Sequence, residues 1–232
     1  MSEKIELDIA NLRKSYHSPT DVLLESALTT MDPFVIFGEW LQLACNTEGV
    51  EEPNAMTIAT VNKQGRPSAR MVLMKGYDSN GFRFFTNMRS RKGQDICHNP
   101  NVALVFYWEK LTRSVRVEGQ AHMLPGDQVD EYYAQRPRAS QIAAHVSENQ
   151  SAPIRDRLVL KNRFSLLEEK YKDVEKIPRP DFWQGYNIVP DKIEFWQGQS
   201  TRMHDRIVFS KEGKGDKWNP GENGWKYQRL EP

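Results

Sequence analysis

From Ala55 to Leu124 the chain runs through five short stretches of period-two alternation, and this limits the fold more than any other feature. The stretches are 55–62, 67–77, 81–87, 102–109 and 114–124, all rich in β-branched and aromatic residues. Gly65-Arg66-Pro67 and Ser79-Asn80-Gly81 stand between them as turn signals. Five closely spaced strands predict an antiparallel sheet that closes on itself. Three more strands are expected near 185–197, 204–210 and 224–230, with a polar loop at 211–223.

Helices fill the remaining space. Asp32-Pro33 opens one, the aspartate as N-cap and the proline at the first position. Phe34, Phe37, Trp40, Leu41 and Ala44 then recur at helical spacing and form one buried face. Arg91 to Asn99, Gly126 to Gln135 and Ile154 to Lys172 are expected to be helical, and Ile177-Pro178-Arg179-Pro180 is a linker. Residues 1–30 are polar and are expected to form a flexible arm with some helix. The architecture expected is mainly β with α: a β-barrel with helices packed around it, spanning 31–232 as one domain.

At 232 residues the chain is long enough to bury a sizeable core. Its net charge of +1 hides an uneven layout. Residues 1–65 hold four Lys/Arg against ten Asp/Glu, whereas residues 66–116 hold ten against three. A basic middle in a near-neutral protein points to a local anionic ligand rather than to a nucleic-acid coat. Cys45 and Cys97 have neither disulfide-framework nor zinc spacing, which favours a reducing compartment. No apolar run approaches the roughly 20 residues of a membrane span. The acidic start lacks a signal-peptide core, so a cytoplasmic protein is expected.

Four groups of residues could carry chemistry. In EFWQGQSTRMHDR (194–206), Arg202, His204 and Arg206 alternate, which at strand period puts them on one face beside Trp196. Guanidinium, imidazole and indole together suit a planar, anionic heteroaromatic ligand; the plainer alternative is a surface hairpin whose arginines pair with Glu194 and Asp205. Ser90-Arg91-Lys92-Gly93 at a helix start favours a phosphate. Tyr132 and Arg136 share a helix face that Pro137 ends, and Ser140 follows on the turn, forming a second phosphate cradle. Arg70 and Lys75 lie an odd number of residues apart in one strand, so they face opposite sides. No nucleophile–base pair, Walker loop, GxGxxG or metal site stands out. Two anion sites with aromatic walls and no protein nucleophile imply that a bound cofactor does the chemistry.

These residues, in this order, resemble the pyridoxine (pyridoxamine) 5′-phosphate oxidase family. The resemblance runs from LRKSY at 12–16 to YQRL at 227–230. Its most specific pieces are PSARMVLMKG, FRFFTN, SRKG, VRVEG, RPRASQI and EFWQGQSTRMHDR. It implies an FMN-binding split barrel, used as a homodimer with the flavin at the subunit interface. By the same resemblance Arg70, Met71, Val72, Leu73, Phe85, Thr86, Arg91 and Lys92 hold FMN. Gln150, Ser151, Trp196 and Arg206 complete the flavin site, and Ser114 stands where a flavin-contacting glutamine is usual. Lys75, Tyr132, Arg136 and Ser140 would hold the vitamin phosphate. Arg202 and His204 would flank the pyridine ring as the catalytic pair, and Arg13 and Tyr16 in the arm would close over the substrate as a lid. The implied reaction is oxidation of pyridoxine or pyridoxamine 5′-phosphate at C4′ to pyridoxal 5′-phosphate, with dioxygen yielding hydrogen peroxide.

Some positions depart from the family pattern. Ser114 loses reach, SENQS at 147–151 carries one extra residue, and Gln184, Met203 and Glu231 replace the usual glycine, leucine and alanine. Three other readings remain open from the sequence. They are a split-barrel FMN oxidoreductase with another substrate, a non-catalytic carrier of FMN or pyridoxal 5′-phosphate, and an RNA-binding barrel. The acidic first 65 residues argue against the last.

Overall fold

The computed structural model describes residues 12, 16 and 22–232. Ten strands follow in chain order: β1 (Ala55–Val61), β2 (Pro67–Leu73), β3 (Gly76–Asp78), β4 (Gly81–Asn87), β5 (Asn101–Trp108), β6 (Arg113–Met123), β7 (Trp183–Gln197), β8 (Asp205–Ser210), β9 (Asn219–Pro220) and β10 (Lys226–Arg229). The helices are α1 (Pro33–Cys45), α2 (Arg91–His98), α3 (Gly126–Gln135), α4 (Arg138–Val146) and α5 (Arg157–Tyr171). Every ladder is antiparallel, in the order β2-β1-β5-β6-β7-β8-β10-β9, with β4 pairing β7 and β3 pairing β4. The class is α+β, as expected.

Alternation sets the inside of the sheet. Met56, Ile58 and Thr60 on β1, Leu104 and Phe106 on β5, and Val115 and Val117 on β6 are buried, while their neighbours are half-exposed or exposed. Helix α1 plugs this core. Asp32 Oδ1 accepts from Phe34 N at 2.8 Å and Pro33 takes the first position, so the helix starts where its cap dictates. Its fully buried Phe37 meets Tyr77, Phe82 and Phe106 edge-on at 4.9–5.0 Å. Burying that ring contributes about 1.5–3 kcal/mol.

The sheet does not close on itself, which corrects the expectation from strand spacing. The stretch 67–77 is two strands, because the chain leaves the ladder after Leu73. Met74 N then donates to Asn54 O and Lys75 N to Arg83 O. Among the described residues no ladder joins β2 to β3 or β4. The barrel is split there, and a cavity opens beside Val72, Leu73, Lys75, Phe85 and Thr86.

Helix α4 was not expected. Pro137 does end α3, but it also caps α4, so Ser140 lies in a helical first turn and not on a loop. The first of its residues, Arg138, donates to Val174 O at 2.9 Å and to Tyr171 O, covering carbonyls at the end of α5. Helix α5 itself begins at Asp156, whose Oδ1 accepts from Leu158 N and Val159 N. Residues 22–30 are tied to the sheet: Leu23 is buried, and Arg229 donates to Leu23 O and to Glu25. Arg13 and most of the expected arm lie outside the described residues.

Candidate functional site

The split in the barrel holds a cavity of about 630 Å³. Its walls come from the end of β2 (Val72, Leu73), from Lys75, from β4 (Phe85, Thr86, Asn87), from α2 (Lys92), and from the α3–α4 corner (Tyr132, Arg136, Ser140). Gln150 and Trp183 complete the lining that matters here. Segments far apart in sequence therefore supply one concavity, of a size suited to a cofactor plus a small substrate.

One wall is aromatic. Phe85 stacks on Tyr132 at 4.0 Å and on Trp183 at 5.2 Å, and the three planes lie within 16° of parallel. Gly185 makes room for the stack, since a Cβ there would sit 2.6 Å from Phe85 Cε1.

The start of α2, whose Lys92 lines the cavity, is cationic. Ser90 Oγ caps α2 by accepting from Gly93 N, and Lys92 Nζ donates to Thr86 Oγ1 at 3.2 Å. Behind the helix start, Arg70 donates to Thr60 Oγ1 at 2.7 Å and Ser68 Oγ at 2.8 Å. Buried Asp95 lies 4.0 Å from Arg70 and 3.8 Å from Arg91. Arg70 and Arg91 thus share one buried carboxylate, and with Lys92 also at this helix start there is a local excess of positive charge. Burial pushes the Lys92 ammonium below the ordinary lysine range, and Arg70 pushes it the same way. A phosphate dianion would satisfy that helix N-terminus and both side chains.

The α3–α4 corner forms the second anion site. Arg136 lays its guanidinium over Trp183, 4.9 Å from the ring centre. Its Nη1 is buried and has no hydrogen-bond partner among the described residues. An unpartnered buried guanidinium nitrogen is costly, so the corner is complete only when an acceptor enters. Burial lowers the Arg136 pKa, with Tyr132 and Tyr133 opposing. Lys75 lies past the end of β2, so the strand argument about opposite faces does not apply to it. It lines this cavity, whereas Arg70 stands behind α2.

The 147–151 loop is stapled to the cavity. Asn87 Nδ2 donates to Ser147 O at 2.6 Å and Glu148 O at 3.1 Å, Arg89 pairs with Glu148, and Ser151 Oγ accepts from Arg91 N at 3.3 Å. Gln150 lines the cavity and Ser151 meets the start of α2, so the extra residue in SENQS leaves this loop against both. Met71 faces outward on β2, 62 % exposed, and accepts a hydrogen bond from Thr57.

The segment 194–206 behaves differently from its sequence pattern. Strand β8 starts only at Asp205, and Arg202 sits at φ 65° in the turn after Gly198. Arg202, His204 and Arg206 therefore do not form one strand face. Arg202 is exposed, and His204 stands off the strand beside Trp196 at 5.0 Å and Tyr16 at 5.7 Å. His204 Nδ1 accepts from Gln199 N at 3.0 Å, so the neutral ring carries its proton on Nε2. The ion-pair alternative holds in part: Arg206 pairs with Glu194, while Asp205 pairs with Arg229. Ser114, Trp196 and Arg206 line a second cavity of about 420 Å³ with Arg116, Glu194 and Pro232. No described residue lines both cavities.

Several lining residues escaped the sequence reading, among them Asn87, Gln135, Ala143, Ala144, Ser147 and Trp183. Trp183 sits beside Gln184, a position noted only as a departure. The usable signal was an indole at a strand start, two residues before Gly185.

Residues 46–171 match the family model described as pyridoxamine 5′-phosphate oxidase. Residues 183–232 match the one described as the pyridoxine 5′-phosphate oxidase C-terminal dimerisation region. A pyridoxine/pyridoxamine 5′-phosphate oxidase of Bombyx mori is 46% identical, covering 98% of this chain and 91% of its own. The pyridoxine-5′-phosphate oxidase of Bos taurus is 44% identical, covering 97% and 88%. Among solved structures, PhzG of Burkholderia lata, in complex with tetrahydrophenazine-1-carboxylic acid, superposes with a TM-score of 0.79 at 26% identity, covering 93% of this chain and 100% of that one. With a split antiparallel barrel, matches to both family models and relatives along nearly its whole length, this chain belongs to the pyridoxine/pyridoxamine 5′-phosphate oxidase family.

Proposed function

We propose that this protein oxidises pyridoxine 5′-phosphate and pyridoxamine 5′-phosphate to pyridoxal 5′-phosphate, using FMN and dioxygen. The observation that carries the reading is Arg136 Nη1, buried without a hydrogen-bond partner among the described residues, in a cavity it shares with Lys75, Tyr132 and Ser140. These four side chains form a receptor for a phosphate. The residues also fit FMN: Arg70, Arg91 and Lys92 around the start of α2 suit its phosphate, and Val72, Leu73, Phe85 and Thr86 lead from there into the cavity. When bound, FMN supplies the two-electron acceptor that takes hydride from C4′ and passes the electrons to dioxygen, giving hydrogen peroxide.

The chain's own contribution is positioning. Lys75, Tyr132, Arg136 and Ser140 anchor the vitamin phosphate, and Gln150 and Ser151 flank the flavin. His204, with its proton held on Nε2, is the group to donate a hydrogen bond to the substrate's C4′ oxygen or amine and so orient it. Arg202 supplies charge near the pyridine ring, and Arg13 and Tyr16 cover the substrate. Ser114, Trp196 and Arg206 reach the flavin from a second copy of the chain. The split of the expected flavin residues between two cavities, and the match to a dimerisation region, support a homodimer. Free Cys45 and Cys97, both exposed, support a reducing, cytoplasmic setting. Among the described residues no helix is long and apolar enough to cross a membrane.

The likeness to PhzG raises a second reading, a flavin oxidase acting on a ring without phosphate. The Lys75–Tyr132–Arg136–Ser140 group favours the phosphorylated vitamers. Anaerobic addition of pyridoxamine 5′-phosphate to the FMN-loaded protein should bleach the flavin band, and air should restore it. Bleaching by unphosphorylated pyridoxamine at the same concentration and rate would defeat the phosphate assignment.

A further inference from the structure

The second cavity contains a carboxylate that the reaction does not consume. Glu194, on β7, is 5% exposed. Each of its oxygens serves a different guanidinium: Oε1 accepts from Arg206 Nε at 2.8 Å and Oε2 from Arg116 Nη2 at 2.5 Å. Arg116 also pairs with Glu118, which takes Lys192 Nζ at 3.0 Å. The result is a chain of alternating charges, Lys192–Glu118–Arg116–Glu194–Arg206, running across β6, β7 and β8. Arg206 Nη1 donates to Glu231 O at 3.0 Å. Its Nη2 has no hydrogen bond among the described residues. The guanidinium is therefore held at two nitrogens, and the third is left as a donor; Arg206 and its cross-strand partner Trp196 line the same cavity.

We infer that Glu194 is a positioning residue for the cofactor: it orients Arg206 so that the free edge of the guanidinium is presented to FMN. This inference rests on the proposed assignment of Arg206 to the flavin site. A free arginine side chain samples many rotamers, and one held by a buried carboxylate has that freedom removed before the ligand arrives. Two arginines flank the carboxylate and outweigh its burial, holding the Glu194 carboxyl below the ordinary range, so it stays ionised at neutral pH.

Two roles for Glu194 predict opposite signs. As a background charge it opposes an anionic ligand, so removing it would tighten FMN binding. As a positioning residue its removal weakens binding, because Arg206 loses its brace.

The test is a double-mutant cycle on the full-length apoprotein, read by quenching of FMN fluorescence. The four proteins are the parent, Glu194→Gln, Arg206→Gln and the double variant. Circular dichroism melting of each checks the fold. Glu194→Gln should raise the Kd for FMN about tenfold or more. The same substitution should have no further effect in the Arg206→Gln background. An unchanged or lower Kd for Glu194→Gln overturns the inference, as does an equal loss in both backgrounds. If Arg206→Gln itself binds FMN like the parent, the assignment of Arg206 to the flavin fails, and the inference with it. Should Glu194→Gln not fold, Glu194→Asp, which keeps the charge and shortens the reach, takes its place with the same outcomes deciding.

Discussion

Arg136 sits over Trp183, its guanidinium carbon 4.9 Å from the ring centre, and its buried Nη1 has no hydrogen-bond partner among the described residues. Indole and guanidinium are both planar, so the ring fixes the angle at which the arginine meets a phosphate. Arg136→Ala should lower kcat/KM for pyridoxine 5′-phosphate about 10–100-fold, in line with ~1.5–3 kcal/mol for a hydrogen bond to a charged group. Arg136→Lys should recover only part of it, since an ammonium neither forks nor stacks in this way. Steady-state kinetics on both variants decide the matter, and full recovery by lysine would show that charge alone suffices.

Lys92 gives the site a pH dependence. Burial, aided by Arg70, lowers its pKa from the ordinary value of about 10.4. The ammonium that attracts phosphate is present below the lowered folded pKa and is lost as pH rises through it. FMN affinity should therefore fall on the alkaline side, before an unperturbed lysine would titrate. Stability of the apoprotein should move the other way. The unfolded chain holds this proton longer, so stability rises with pH between the folded and unfolded values. Lys92→Arg, which stays charged, should flatten both trends in fluorescence titrations and denaturant melts.

Gly185 is a packing constraint on the aromatic wall. An added Cβ would lie 2.6 Å from Phe85 Cε1 and 2.7 Å from Leu124 Cδ1. Gly185→Ala should cost about 1–3 kcal/mol by overpacking and lower Tm, with Phe85 displaced from Tyr132. A melting temperature equal to the parent's would show that the stack yields freely.

Asn87 ties the 147–151 loop to β4 through two bonds to successive carbonyls. Asn87→Ala should cost about 1 kcal/mol per bond and release FMN faster, because Gln150 and Ser151 ride on that loop. Stopped-flow dissociation of FMN into excess apo-acceptor measures this. An unchanged off-rate would mean that Arg89–Glu148 and the Arg91–Ser151 bond hold the loop without Asn87.

The strands of the barrel were legible because alternation in β1, β5 and β6 reports directly on which side is buried. Asp32-Pro33 was equally plain, since the cap residue makes the bond its type predicts. Pro137 was not, because proline both stops one helix and starts the next, and the spacing of Ser140 does not distinguish the two. Arg202, His204 and Arg206 misled for a related reason. Their alternation matches a strand, but Gly198 and the left-handed backbone of Arg202 turn the chain before β8 begins. Closure of the sheet failed as a prediction because strand number alone does not fix which edges meet. Trp183 went unnoticed because its role depends on Arg136 and Phe85, neither of them near it in sequence.

Strand β7 opens with Trp183 in the larger cavity and has Trp196, its penultimate residue, in the smaller one. That spacing, on the order of 40 Å of extended chain at about 3.3 Å per residue, keeps the two apart within one molecule. In the proposed dimer every active centre is then a chimera, built from the front of this strand in one molecule and its rear in the other. Two impaired variants, one damaged at Arg136 and one at Arg206, should complement each other when co-expressed. The mixed dimer concentrates both lesions in one centre and leaves the other whole.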